Sequence, residues 1–142
     1  MNISTHWALA LALSAFLLGA CQTTNQRVLD AGGESQLQRR AYQSRSFETA
    51  DKEKVLRGVI TTLQDLRFVI DKADLMLGTV SGTRFDMYTT KISVSVRPKG
   101  NDRVLVRANV QVGLNPVEDP KTYQDFYAAL EKSLFLTAHV GE

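Results

Sequence analysis

The chain has 142 residues, 44% of them hydrophobic and 23% charged, with a formal net charge of +2. That length holds one domain once a targeting segment is set aside, and the small charge without a long basic run excludes a nucleic-acid-binding field. One cysteine excludes an intramolecular disulfide, and two histidines, His6 and His139, leave little material for a metal site or proton shuttle.

Residues Trp7 to Leu18, "WALALALSAFLL", form an apolar run. It is too short for a bilayer span, which needs roughly 20 residues, and suits a signal-peptide core. The preceding "MNISTH" has no Lys or Arg. Ordinary cleavage after Ala20 would put Leu18 at a position where a small residue is wanted. Leu18-Gly19-Ala20-Cys21 resembles the bacterial lipobox, Leu-small-small-Cys. The resemblance implies that residues 1–20 are a lipoprotein signal peptide and Cys21 the lipidation site, its thiol diacylated before cleavage and its new amino terminus usually acylated. Such an anchor is firm, since each buried CH₂ contributes about 0.8 kcal/mol and two or more chains are present. Gln22 in place of Asp implies, by likeness to enterobacterial sorting, the outer membrane, with the domain facing the periplasm. The competing readings are a soluble secreted protein with a chance cysteine and an uncleaved anchor.

Residues 22–45 are rich in Gln, Ser, Thr, Gly and Arg and poor in apolar residues. Such a segment buries too little surface to offset its ordering entropy, so residues 21–45 read as the lipidated cysteine and a flexible tether. Its r.m.s. span is roughly 25–30 Å. Arg39, Arg40 and Arg45 are candidates for touching anionic head groups, with simple solubility the weightier reading.

Residues 46–142 carry the periodicity of one folded domain. "SFET" (46–49) reads as a short strand with Phe47 inward, and Thr49 or Asp51 supplies an N-cap for a helix starting near Lys52. Val55, Leu56, Val59, Ile60, Leu63 and Leu66 make its apolar stripe. Arg67 stands at the helix exit, where Gly is usual; in a left-handed conformation it carries strain of about 1 kcal/mol. "FVID" (68–71) and "LGTVSGTRF" (77–85) read as strands joined by a polar connection around Lys72-Ala73-Asp74. Gly78 and Gly82 in the second point to a bulge or close packing against a helix.

In "KISVSVRP", Ile92, Val94 and Val96 alternate with polar residues, and in "RVLVRANVQV" Val104, Val106, Ala108, Val110 and Val112 do the same. "KGND" between them is a hairpin turn. Asp119 caps a last helix with Pro120 at its first position, and Tyr123, Phe126, Tyr127, Leu130 and Leu134 form its stripe. The predicted fold is α+β: an antiparallel sheet of four to five strands packed with two helices, in the helix-grip-like order β-α-β-β-β-β-α.

Candidate chemistry is sparse. Asp71 and Asp74 could be imagined as an acid/base pair, but Asp favours turns for local hydrogen-bonding reasons. His139 falls near the C-terminus without a nucleophile or carboxylate close in sequence. No phosphate-binding loop, zinc helix or nucleophile elbow occurs. No catalytic residue, metal or cofactor is expected. Lys91, Arg97, Arg103 and Arg107 share the solvent-facing parity of two neighbouring strands, interleaved with Ser93, Ser95, Asn109 and Gln111. This set is the possible binding surface, for phosphate-bearing lipid, peptidoglycan or an acidic partner; a solvated sheet surface is the plainer reading.

The run "KVLRGVITTLQDLRFVIDKADLMLGTVSGTR" (54–84) resembles a pattern of small uncharacterised Gram-negative outer-membrane lipoproteins, in which a helix ending Leu-Gln-Asp-Leu leads to a strand, an acidic turn and Leu-Gly-x-Val-Ser. Residues 46–138 are also similar to one domain of BamC-type helix-grip lipoproteins of the β-barrel assembly machinery. These likenesses imply a non-enzymatic, membrane-anchored accessory or assembly module with an envelope protein partner. The alternative is a lipid or amphiphile carrier with a cleft lined by Leu63, Val94, Val106, Phe126 and Leu130.

Overall fold

The alternation in "KISVSVRP" and "RVLVRANVQV" gives each strand one apolar face, and a short turn lets the two pair in antiparallel register. In the computed structural model, which describes residues 36–140, these segments are the two longest strands of an open antiparallel sheet. The elements in chain order are α1 (Gln36–Gln43), β1 (Ser44–Phe47), α2 (Lys52–Asp65), β2 (Val69–Asp74), β3 (Thr79–Phe85), β4 (Thr89–Lys99), β5 (Arg103–Val112), β6 (Asn115–Pro116) and α3 (Pro120–Val140). Laterally the strands run β1-β5-β4-β3-β2, with β6 also pairing β5. The expected α+β class is observed, with three helices in place of two. The expected signal segment, Cys21 and residues 22–35 lie outside the described residues.

The helices α2 and α3 bury their stripes on one sheet face. Val55, Leu56, Val59, Leu63, Tyr123, Phe126, Tyr127 and Leu130 share a core with Val80, Ile92, Val94, Val96, Val104, Val106, Ala108 and Val110. Each large apolar side chain removed from water contributes about 1.5–3 kcal/mol, which fixes which sheet face the helices cover. Asp51 caps α2, its Oδ1 accepting from the Lys54 N–H at 2.8 Å. Asp119 caps α3, accepting from the Lys121 N–H at 3.0 Å.

Arg67 takes the left-handed conformation, with φ of 65°. The Phe68 N–H reaches the Leu63 carbonyl at 2.8 Å and the Arg67 N–H the Gln64 carbonyl at 2.9 Å. That pair of bonds is the Schellman termination, with Arg where glycine is common. Phe68 then packs into the core with Leu63, so the exit angle is held by burial as well as by the two bonds.

Three expectations are corrected. The tether was expected to run to residue 45, but α1 occupies residues 36–43 and Ser44 and Arg45 already belong to β1. Composition hid this helix because it is held by few residues: Tyr42 packs against the core, 5.0 Å from the Tyr123 ring, and Gln43 accepts from the Tyr127 hydroxyl through its backbone carbonyl at 2.6 Å. The first strand is 44–47 and not 46–49, because pairing of Ser44 with Arg107 and Phe47 with Val104 sets its register. Lys72-Ala73-Asp74 is not the β2–β3 connection but the end of β2, past a register shift between Ile70 and Lys72. The turn falls instead on Leu75, Met76, Leu77 and Gly78. Gly78 has φ of 69° and lies against the Val96 carbonyl and the Lys52 side chain, which accounts for glycine there.

Candidate functional site

The sheet face opposite the helices is mostly polar, with Leu105, Val69 and Phe85 as its apolar members. One row crosses it through Lys72, Ser81, Ser93 and Asn109, and the next through Asp74, Thr79, Ser95 and Arg107. Small side chains in the middle leave a shallow depression of about 320 Å³ lined by Lys72, Thr79, Ser81, Ser93, Ser95 and Asn109 among others. Its floor offers hydroxyl and amide groups, with Lys72 on one side and Arg107 one strand pairing beyond.

The four cations expected on this face are on it, but they do not form one cluster. Lys91 pairs with Gln111 and Arg97 with Leu105, so six residues of β4 place them about 20 Å apart. Arg97 has Arg103 and Arg107 as diagonal neighbours on β5. Arg103 leans toward Glu48, 3.8 Å away. Arg107 is half-buried, its Nη2 3.5 Å from the Gln43 Oε1 under α1. Lys91 and Arg97 are the exposed members without an ion pair among the described residues. Sequence reasoning missed Lys72, which was assigned to a loop, and Lys99, whose Nζ donates to Ser46 Oγ at 3.0 Å.

Two of the three tether arginines are structural. Arg39 pairs with Glu118 at 3.2 Å. Arg45 pairs with Glu131 at 3.0 Å and lies over the Tyr127 ring, 4.9 Å from its centroid. Arg40 lines, with Gln36, Arg39, Gln43, Arg107 and Pro116, a second hollow of about 330 Å³ beside α1.

The tyrosines of α3 do more than fill space. The Tyr127 hydroxyl sits between the carbonyls of Gln43 and Val106, at 2.6 and 3.1 Å, and burial pushes its pKa well above the usual phenol range. The Tyr123 hydroxyl donates to the Val117 carbonyl at 2.8 Å and accepts from the Val110 N–H at 3.4 Å. They tie α1 and the β6–α3 connection to the sheet.

Asp71 and Asp74 serve separate local purposes. Asp71 accepts from the Thr83 hydroxyl at 2.7 Å, and Asp74 Oδ1 accepts from the Leu77 N–H at 2.8 Å to close the β2–β3 turn. The His139 side chain lies outside the described residues. Among the described residues no group of three His, Cys, Asp or Glu side chains converges, and no helix is long and apolar enough to cross a membrane.

The carrier cleft expected between Leu63, Val94, Val106, Phe126 and Leu130 is closed, since all five are fully buried in the core. A cleft of about 290 Å³ opens instead beyond the end of α2, walled by Leu66, Phe68, Ile92, Val110 and Phe126, with Arg84 and Asp125 among its lining. Large apolar side chains are exposed at the strand turns: Leu75, Met76 and Leu77 at one end of the sheet, and Phe85, Met87, Tyr88 and Leu114 at turns around the other. The class these features define is an α+β domain with a filled core, a mostly polar sheet face and apolar turns. The chain matches no protein-family model and no curated protein.

Proposed function

We propose that the protein is a lipoprotein anchored through Cys21 in the outer membrane, facing the periplasm, and that it acts as a non-enzymatic accessory or assembly module through protein contacts. The observation that carries the contact reading is where the apolar side chains lie. The helix–sheet interior is filled, while Leu75, Met76 and Leu77 stand exposed on one turn, Met76 at 92%. Monomeric domains rarely keep such side chains together in water without a use for them. Beside that turn the sheet presents Lys72 and Arg97 over a hydroxyl-rich surface, suited to an acidic rim on a partner.

The test is in-cell photocrosslinking of the full-length protein from position 76 and, separately, from Thr61 on the exposed back of α2. A discrete envelope protein captured from 76 and not from 61 is the expected result. The same bystanders from both positions would contradict the contact reading, and recovery of barrel-assembly components from 76 would favour the BamC-like one.

The second reading, an amphiphile carrier, is favoured by the cleft at Phe68 and Phe126, where an apolar chain could lie with an anionic head toward Arg84. Arg84 is already engaged, over the Phe68 ring at 4.9 Å and paired with Asp86. Native mass spectrometry separates the readings: bound lipid lost on Phe126→Trp supports the carrier, and a lipid-free domain supports the adaptor.

A further inference from the structure

The turns at the Thr89 end of the sheet lie side by side. The Gly113 N–H donates to the Thr89 carbonyl at 2.9 Å, and Thr90 pairs with Val112. Around them stand Phe85, Met87, Tyr88 and Leu114, from 68 to 95% exposed. Polar residues are the ordinary occupants of such turns, so the group calls for an apolar or interfacial environment.

The route of the chain indicates which. Gln36, the first described residue, lines the same hollow as Pro116. Arg39, on the next turn of the same helix, pairs with Glu118 in the β6–α3 connection. The chain coming from Cys21 therefore joins the domain at β6, next to Leu114. Residues 22–35 are fourteen in number and reach at most about 50 Å when fully extended. The sheet, measured along β4, is about 35 Å long. Leu114 therefore stands at the end of the sheet where the chain from Cys21 enters the domain, while Leu75, Met76 and Leu77 stand at the opposite end.

We propose that the Phe85, Met87, Tyr88 and Leu114 end of the domain seats on the lipid surface, so that the lipid anchor and these turns together orient the sheet upright. Tyr88 is an aromatic of the kind that settles at head-group depth, and Met87 and Leu114 enter the acyl boundary beside it. Near this end Arg84 and Arg39 are paired with Asp86 and Glu118, while Lys91, two residues from Thr89, is exposed and without an ion pair among the described residues. Apolar burial therefore drives the seating, with Lys91 beside it for an anionic head group. The proposal rests on lipidation of Cys21.

The test uses the full chain, expressed so that it is processed, on a Trp7→Phe background, in vesicles of phosphatidylethanolamine and phosphatidylglycerol with brominated acyl chains. One variant carries Tyr88→Trp and another Met76→Trp. Trp fluorescence at position 88 is expected to shift to the blue and to be quenched about twofold, with position 76 unquenched. Position 88 as unquenched as position 76, in protein that floats with the vesicles, overturns the proposal; so does equal quenching at both. An intact mass without acyl groups at Cys21 in the same sample refutes the anchor itself, and the seating falls with it.

Discussion

Arg67→Gly isolates one local conflict between sequence and fold. A non-glycine residue in the left-handed region costs about 1–2 kcal/mol, because Cβ crowds the carbonyl that follows. Arg67 is exposed, and its side chain has no hydrogen bond or ion pair among the described residues, so truncating it forfeits neither. Against the relief stands the freedom glycine adds to the unfolded chain, about 0.4–1 kcal/mol. The balance is a stabilisation of about 0.5–1 kcal/mol, which for a domain of this size raises Tm by roughly 2–6 °C. Both Schellman bonds use backbone groups and survive the change. Thermal and urea unfolding of wild type, Arg67→Gly and Arg67→Ala check it. Alanine keeps Cβ and is expected to give no gain; a Gly variant no more stable than the Ala variant refutes the strain reasoning.

Gly78→Ala should be costly, by about 2 kcal/mol or more, because it adds left-handed strain and drives Cβ into the Val96 carbonyl, whereas Gly113→Ala, at φ of 60° in open space, should cost only about 1 kcal/mol; equal losses in urea titration would contradict the close approach. Tyr127→Phe should cost about 1–2 kcal/mol at neutral pH by leaving the Gln43 carbonyl without its donor. The folded phenol titrates above its unfolded value, so wild type keeps this stability below pH 10 and loses it above, by up to about 1.4 kcal/mol per pH unit. Unfolding midpoints from pH 8 to 11.5 should therefore fall more steeply for wild type than for Tyr127→Phe; parallel slopes would speak against the buried phenol. Neutralising Lys91, Arg97 and Arg103 to Gln should change stability by less than about 0.5 kcal/mol and reduce partner recovery, while adding Arg107→Gln should also destabilise, because Arg107 bonds Gln43; unchanged partner recovery would dismiss this face.

The sheet and its helices were legible where a residue pattern answers to one local cause. Ile92, Val94 and Val96 alternate because one face is buried, and Asp119-Pro120 starts a helix because a cap and a fixed φ are both local. The sequence marked Arg67 as the helix exit, where a left-handed residue is common, and the structure shows that it takes that conformation. What was not legible depends on distant partners. The helix α1 is held by a hydrogen bond from Tyr127, 84 positions along the chain, and no composition window contains that. The end of β2 is polar because it is an edge strand facing water, while its turn is apolar, which reverses the usual cue. In the candidate site, parity placed all four cations on the outer face. Their separation and the engagement of Arg107 under α1 required register and tertiary structure.

The claim on which the functional account stands is the anchor at Cys21. Its most direct measurement is the intact mass and N-terminal peptide of the protein purified from envelopes, with Cys21→Ser alongside. The expected result is a mature chain starting at Cys21 and carrying a diacylglyceryl group and an amide-linked acyl chain, with Cys21→Ser unprocessed and unlabelled by palmitate. A chain beginning at any other residue, or an unmodified Cys21, would contradict it.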